Sequence, residues 1–242
     1  EYDTIQRSEV KRHLNEYFYY GGLPEILSFK NKRAMLSSLY QKIYLGDICA
    51  RNNIKNDRVL NILIKKMAES VKQPLSYNRL KNVIVATGSP ISVPTTIDYV
   101  DYASDSWLIL PMENEVGKLT EKEMQKKYYF VDNGLLNLFL MHSETSLLEN
   151  MVAVELCRRF GKKNVFFLNA EKEIDFIVPD EKLAMQVSYS IKDETTYNRE
   201  VPPLVKYAKA HKDWKCLLIT YDEEGKEEEI PVVPVWKWLM EV

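Results

Sequence analysis

The stretch Glu173-Ile174-Asp175-Phe176-Ile177-Val178-Pro179-Asp180-Glu181-Lys182-Leu183-Ala184-Met185-Gln186-Val187-Ser188 decides the fold of the C-terminal half. Its two apolar runs, 174–178 and 183–188, have the length and composition of strands rather than helices. Working outward, residues 147–160 form an amphipathic helix and 165–168 a further strand. Downstream, a helix is expected from about Arg199 to Lys209, with Pro202 near its start, where a missing N–H costs nothing. The apolar runs 216–221 and 230–233 follow as strands, and Val235 to Leu239 as a short terminal helix. Helices interleaved with apolar strands predict an α/β domain with a mixed sheet over residues 127–242.

The N-terminal half reads differently. Residues 8–54 are helical: Val10, Leu14, Tyr17 and Phe18 share one face, and a second helix runs from Arg33 to about Arg51. Between them Gly21-Gly22-Leu23-Pro24 forms a tight corner, since two glycines free the backbone and a proline bars helix continuation. Asp47 and Arg51, one turn apart, are expected as a surface ion pair. An amphipathic helix over 57–70, a helix capped by Ser76 that ends before Gly88, and a third from Thr95 to Asp105 precede a strand at 107–110. Three short helices followed by a strand hairpin is the order of a winged helix-turn-helix, with the charged stretch 118–127 as its wing or connection. The expected division is a helical segment 1–54, a winged-helix-like domain 55–126 and the α/β domain 127–242, an α+β and α/β multi-domain chain.

Of the 242 residues, 45% are hydrophobic and 28% charged, the balance of a globular protein with a substantial core. Net charge is -2 and the pI about 6.1, so any nucleic-acid contact must come from a local patch rather than a global field. Cys49, Cys157 and Cys216 are far apart and odd in number, which points to neither disulfides nor zinc and suggests a reducing, cytoplasmic setting. No apolar run is long enough to span a bilayer, and a chain opening on Glu1-Tyr2-Asp3 is expected to be cut from something longer.

The constellation that could carry chemistry is Glu149 on a helix, Asp175 on one strand, and Gln186 and Ser188 on the next. Its order and spacing match the PD-(D/E)XK nuclease core, where a strand aspartate and an acidic residue two before a lysine hold magnesium, because alternate strand residues share a face. Here Gln186 stands where the second carboxylate belongs and Ser188 where the lysine does. A neutral amide holds a hydrated dication poorly, and a hydroxyl gives no positive charge to a developing phosphorane. Residual cutting would need Asp175 and Glu149 as magnesium ligands and a lysine migrated to Lys172 or Lys192.

The chain resembles the prokaryotic AAA+-type ATPases of unknown function that end in a nuclease-like domain. The resemblance rests on Tyr20-Gly21-Gly22-Leu23-Pro24-Glu25, Asp47-Ile48-Cys49-Ala50-Arg51, Thr95-Thr96-Ile97-Asp98-Tyr99, Lys127-Tyr128-Tyr129-Phe130-Val131-Asp132-Asn133-Gly134-Leu135, and Leu148-Glu149-Asn150 with Glu173-Ile174-Asp175-Phe176. It implies an N-terminal P-loop ATPase domain as the partner in the same protein, a winged-helix middle and a nuclease-like end. No G-x-x-x-x-G-K-[ST] occurs in this chain, so it cannot hydrolyse ATP by that route.

DNA, or another protein, is the further partner class to weigh. On the helix that would enter a groove, Asp98, Asp101 and Asp105 form a carboxylate stripe, which opposes phosphate. Arg79 and Lys81 on the preceding helix, Lys122, Lys126 and Lys127 in the wing region, and Arg158, Arg159, Lys162 and Lys163 at a helix end could touch the DNA backbone only. The six carboxylates between Asp222 and Glu229 read as a solvated hairpin turn rather than a divalent-ion loop, because no EF-hand spacing is present. His13, His142 and His211 are isolated. Three functions follow as expectations: a non-catalytic regulatory or interaction region of an ATPase-like protein, a magnesium-dependent DNA endonuclease, or a sequence-independent DNA-backbone binder.

Overall fold

The computed structural model describes residues 4–141, 143–169 and 173–240, with the side chains of residues 4–6 and 121 left aside. It is a mixed α/β protein that divides into two compact units. One comprises Glu1–Glu16, Met112–Lys118 and Glu144–Val242; the other comprises Tyr17–Pro111 and Leu119–Ser143.

The helix α1 (Thr4–Tyr20) belongs to the first unit up to Glu16; its last residues, from Tyr17, open the second unit and reach the glycine corner, where α2 (Pro24–Leu27) and α3 (Lys32–Gln41) follow. Asn31 caps α3 by accepting from the Ala34 N–H, and the helix runs on as a π-helical stretch, Lys42–Ala50. Asp47 and Arg51 pair at 3.6 Å on its surface. The next elements are α4 (Asp57–Glu69), β1 (Leu75–Ser76), α5 (Tyr77–Ala86), α6 (Val93–Asp105), β2 (Ile109–Met112), α7 (Leu119–Met124), β3 (Gln125–Phe130) and α8 (Asn133–Leu136). The three strands form a sheet in the order β1-β3-β2. Val59, Leu60, Leu63, Ile64 and Met67, at helical spacing, give α4 its buried face. Ser76 and Ser92 cap α5 and α6 through the N–H groups of Arg79 and Thr95.

Two details depart from expectation. Trp107 is not in a strand: its φ of 53° and its N–H bond to the Ser104 carbonyl close α6, and β2 begins at Ile109. The stretch 118–127 holds α7 and opens β3.

The corner at Gly21-Gly22 packs on Asp132. The Asp132 carboxylate accepts the Gly22 N–H at 2.8 Å and, as the cap of α8, the N–H groups of Gly134 at 2.8 Å and Leu135 at 3.2 Å. Gly21 has φ +78°, and a Cβ there would overlap this carboxylate, while a Cβ on Gly134 would overlap the Tyr20 carbonyl. Asn133 and Asn137 donate to the carbonyls of Phe18 and Tyr19 at 3.0 and 2.9 Å. Two of the stretches that carry the resemblance are thus one hydrogen-bonded junction. Burial pushes the Asp132 carboxyl up, against the pull of its three N–H donors.

In the first unit, α9 (Glu144–Phe160) precedes β4 (Phe166–Asn169), β5 (Glu173–Val178) and β6 (Leu183–Ser188); then come α10 (Glu194–Ala210), β7 (Lys215–Thr220), β8 (Gly225–Glu227), β9 (Ile230–Pro234) and α11 (Val235–Met240). The six-stranded sheet has the order β4-β5-β6-β7-β9-β8. It is mixed: β4, β5 and β6 pair antiparallel, whereas β6 with β7 and β7 with β9 are parallel. Ile177, Ala184 and Leu218 of the sheet form a core with Val201, Leu204 and Val205 of α10. That helix starts five residues earlier than expected, because Asp193 caps it through the Thr196 N–H at 2.9 Å. Pro202 and Pro203 therefore lie inside it, and the carbonyls of Asn198 and Arg199 lose their usual intrahelical donors.

Candidate functional site

The pairing of Ile177 with Ala184 fixes which side chains of β5 and β6 face α10. Counting alternate residues puts Gln186 and Ser188 on the face of Ala184. There Asp175, Gln186, Ser188 and, from α10, Glu200 are all buried. Asp175 accepts the Val187 N–H at 2.9 Å through Oδ2, and its own N–H donates to Gln186 Oε1 at 3.3 Å. The other end of the amide, Nε2, donates to Glu200 Oε2 at 2.5 Å. Glu200 Oε1 accepts from Arg199 at 2.7 Å. Ser188 turns away and donates to the Ser190 carbonyl at 2.9 Å. Burial pushes the Glu200 carboxyl up and the charge of Asp175 adds to this, while hydrogen bonds from Gln186 and Arg199 oppose it.

Glu200 was not anticipated. Its signal was a carboxylate set within the apolar stripe Val201, Leu204 and Val205, but a stripe does not say which strand it faces. Glu149 is 3% exposed on α9, which packs against β6. Lys192 is exposed in the loop after β6, and Lys172 lies outside the described residues, as does His142. Among the described residues no three His, Cys, Asp or Glu side chains stand together as metal ligands. Magnesium asks for several oxygen ligands at near-octahedral positions. The Asp175 carboxylate already receives a backbone N–H, and both ends of the Gln186 amide are engaged, so the residues present do not fit that ion.

The expected DNA-backbone contacts scatter. Lys127 is completely buried, because β3 is the central strand of its sheet and Lys127 through Phe130 are all covered, so it belongs to no accessible wing surface. Lys126 lies beside Glu123 at 3.5 Å, and Lys122 ends α7. Arg158 and Arg159 both bind Glu155, at 2.6 and 2.5 Å. Arg159 also donates to the carbonyls of Trp238 and Leu239 in α11, and its guanidinium lies 4.6 Å from the Trp238 ring centroid. Burial raises the Glu155 carboxyl, but the two arginines outweigh it and hold the group below the usual carboxylate range. Lys162 and Lys163 are exposed beyond α9. Asp98, Asp101 and Asp105 lie exposed on α6, and Asp101 is pushed up by burial and then by its two neighbours.

The acidic hairpin is paired throughout. Asp222 binds Lys11, Glu223 accepts from Ser190 and Ile191, Glu224 binds Lys237, and Glu227 accepts from Tyr197. Glu228 and Glu229 bind Lys209 and Lys226. The three cysteines are free, two of them buried. Among the described residues no helix is long and apolar enough to cross a membrane.

Residues 11–146 match the model of a domain of unknown function, DUF8612, and the chain belongs to that family. It is 31% identical over 259 aligned positions to an uncharacterised protein of Methanocaldococcus jannaschii, covering 98% of this chain and 57% of the relative. It is 29% identical over 242 positions to an uncharacterised protein of Haemophilus influenzae, covering 96% of this chain and 59% of the relative. The chain thus spans rather more than half the length of these curated relatives. No solved structure matches it.

Proposed function

We propose that this chain is a non-catalytic regulatory or interaction region of an ATPase-like protein, with a winged-helix-like middle and a degenerate nuclease-like end. The observation that carries the reading is the closed network of Asp175, Gln186 and Glu200. The groups that would bind a metal and polarise a phosphodiester are engaged with one another and with backbone. The order α4-β1-α5-α6-β2-α7-β3, with its sheet β1-β3-β2, agrees with a winged helix whose last two strands are joined through α7. The order α9-β4-β5-β6-α10-β7, antiparallel up to β6 and parallel onward, agrees with a nuclease-like core. Relatives with a further two-fifths or so of chain leave room for an ATPase domain. The acidic face of α6 and the engaged arginines of α9 speak against DNA as the partner and for protein.

Incubation of the chain with supercoiled plasmid and magnesium or manganese is expected to leave the plasmid intact. Metal-dependent nicking that disappears in Asp175→Ala would overturn the reading and establish an endonuclease.

A further inference from the structure

Beside the C-terminal half of α10 lie two adjoining hollows of about 350 and 360 Å³. Val205, Lys209 and Glu228 line both, so they form one trough divided by the Lys209–Glu228 ion pair at 2.7 Å. The floor continues the core of this unit: Val201, Val205, Cys216 and Ile230 belong to that core, with Ala208 and Trp214 packed against it. Burial pushes the Cys216 thiol up, so it stays neutral and adds apolar surface. These volumes fall at the small end of ligand sites, about 300–1,000 Å³.

The charges at the mouth are unequal in what they leave over. Lys206 and Lys209 of α10, and Lys212 in the turn that follows the helix, line this side. On the hairpin side Glu228 is held by Lys209, and Glu229 by Lys226 at 2.9 Å. Lys212 at the rim of the first hollow is a cation beyond these pairs. An apolar floor with a surplus cation at its edge is complementary to a molecule with an apolar body and one negative group.

We propose that this trough binds a small amphipathic organic anion, its apolar body over Val205, Ala208, Trp214 and Ile230 and its acidic group on Lys212. The site is separate from the Asp175 network, and the proposal does not depend on the reading given to that network. A carboxylate or sulfonate on a short alkyl chain or aromatic ring is the chemical class that fits.

The test uses the whole chain and the fluorescent aromatic sulfonate 1-anilinonaphthalene-8-sulfonate. Saturable one-to-one binding is expected, displaced by octanoate. Lys212→Glu, a substitution of an exposed side chain, should weaken it about fivefold, as the loss of one exposed charge contact implies. Ala208→Trp should fill the first hollow and abolish saturable binding; its circular dichroism and melting temperature report whether it has folded. If it has not, Lys212→Glu decides alone. No saturable binding to the unaltered chain, no displacement by octanoate, or undiminished affinity in Lys212→Glu would each overturn the proposal.

Discussion

Replacing Gly21 with alanine isolates what the glycine corner contributes. Its φ of +78° is a left-handed conformation, costing an alanine about 1–2 kcal/mol. A methyl group there would also overlap the Asp132 carboxylate. If the carboxylate moves aside, the N–H groups of Gly22, Gly134 and Leu135 lose their acceptor. Gly22 is exposed and finds water, whereas Gly134 and Leu135 are buried, and an orphaned buried N–H costs about 1–3 kcal/mol. Strain plus one or two orphaned donors gives a loss of about 2–8 kcal/mol. Two glycines of the same unit are internal standards. Gly88 has φ +81° with open space around it, so Gly88→Ala should cost the strain alone, about 1–2 kcal/mol. Gly46 has open space and lies in a helical stretch, so Gly46→Ala should be neutral or stabilising by about 0.5–1 kcal/mol. Urea unfolding of the three variants beside the parent chain reads the series. A loss for Gly21→Ala no larger than that for Gly88→Ala would refute the overlap and leave only backbone strain.

Other outcomes follow from the same geometry. Arg159→Ala removes the bond to Glu155, both α11 carbonyl contacts and the stacking on Trp238, and should lower stability by about 2–3 kcal/mol, whereas Lys163→Ala should stay within about 0.5 kcal/mol; thermal melts compare them. Asp175→Ala orphans the buried Val187 N–H and should cost about 1–3 kcal/mol in urea unfolding, an effect on stability rather than on any reaction. The Glu200 carboxyl is raised in the folded chain, so the folded state holds its proton more tightly than the unfolded one. The stability associated with that proton is fully present below the unfolded value, about 4.3, and is lost as pH rises through the higher folded value. Relative to Glu200→Gln, the parent chain should therefore lose stability as pH rises above about 4.3, and a flat difference across pH 4 to 7 would contradict the burial of that charge. Because every carboxylate from Asp222 to Glu229 already has a donor, millimolar calcium should leave the melting temperature unchanged, and a clear rise would reveal a metal loop.

Strands β5, β6 and β7 were legible because they are short apolar runs buried on both faces, a pattern that needs no knowledge of their neighbours. The run 183–188 matches β6 to the residue, while the stretch 222–229, expected as a turn, also holds the short strand β8. Ends set by side-chain chemistry were harder to read. The start of α10 was placed at Arg199 because Pro202 looks like a first-turn residue, yet the Asp193 cap fixes the start at Glu194, and tertiary packing keeps two prolines inside the helix. Trp107 was assigned to a strand on β propensity, but at the end of a helix the backbone closes through a left-handed residue whatever its side chain prefers.

The candidate site was legible in its positions and not in its bonding. Spacing along β5 and β6 placed Asp175, Gln186 and Ser188, since strand alternation is local. Glu200 comes from α10 and is joined to Gln186 by a contact that only the packing of helix on sheet can make. Lys127 shows the reverse error: a lysine in a charged stretch reads as surface, and only its place in the middle strand of the sheet buries it. Asp132 and Gly22 are 110 residues apart and were quoted as separate marks of resemblance, although they form one junction. For Glu200 and Asp132 the deciding carboxylate is buried, and its cost is offset by a partner from another element of the chain. The same rule gives the Asp175 network its meaning. Glu200 and Arg199 complete the hydrogen bonding that Gln186 begins, so the buried amide and the buried carboxylate each have a partner.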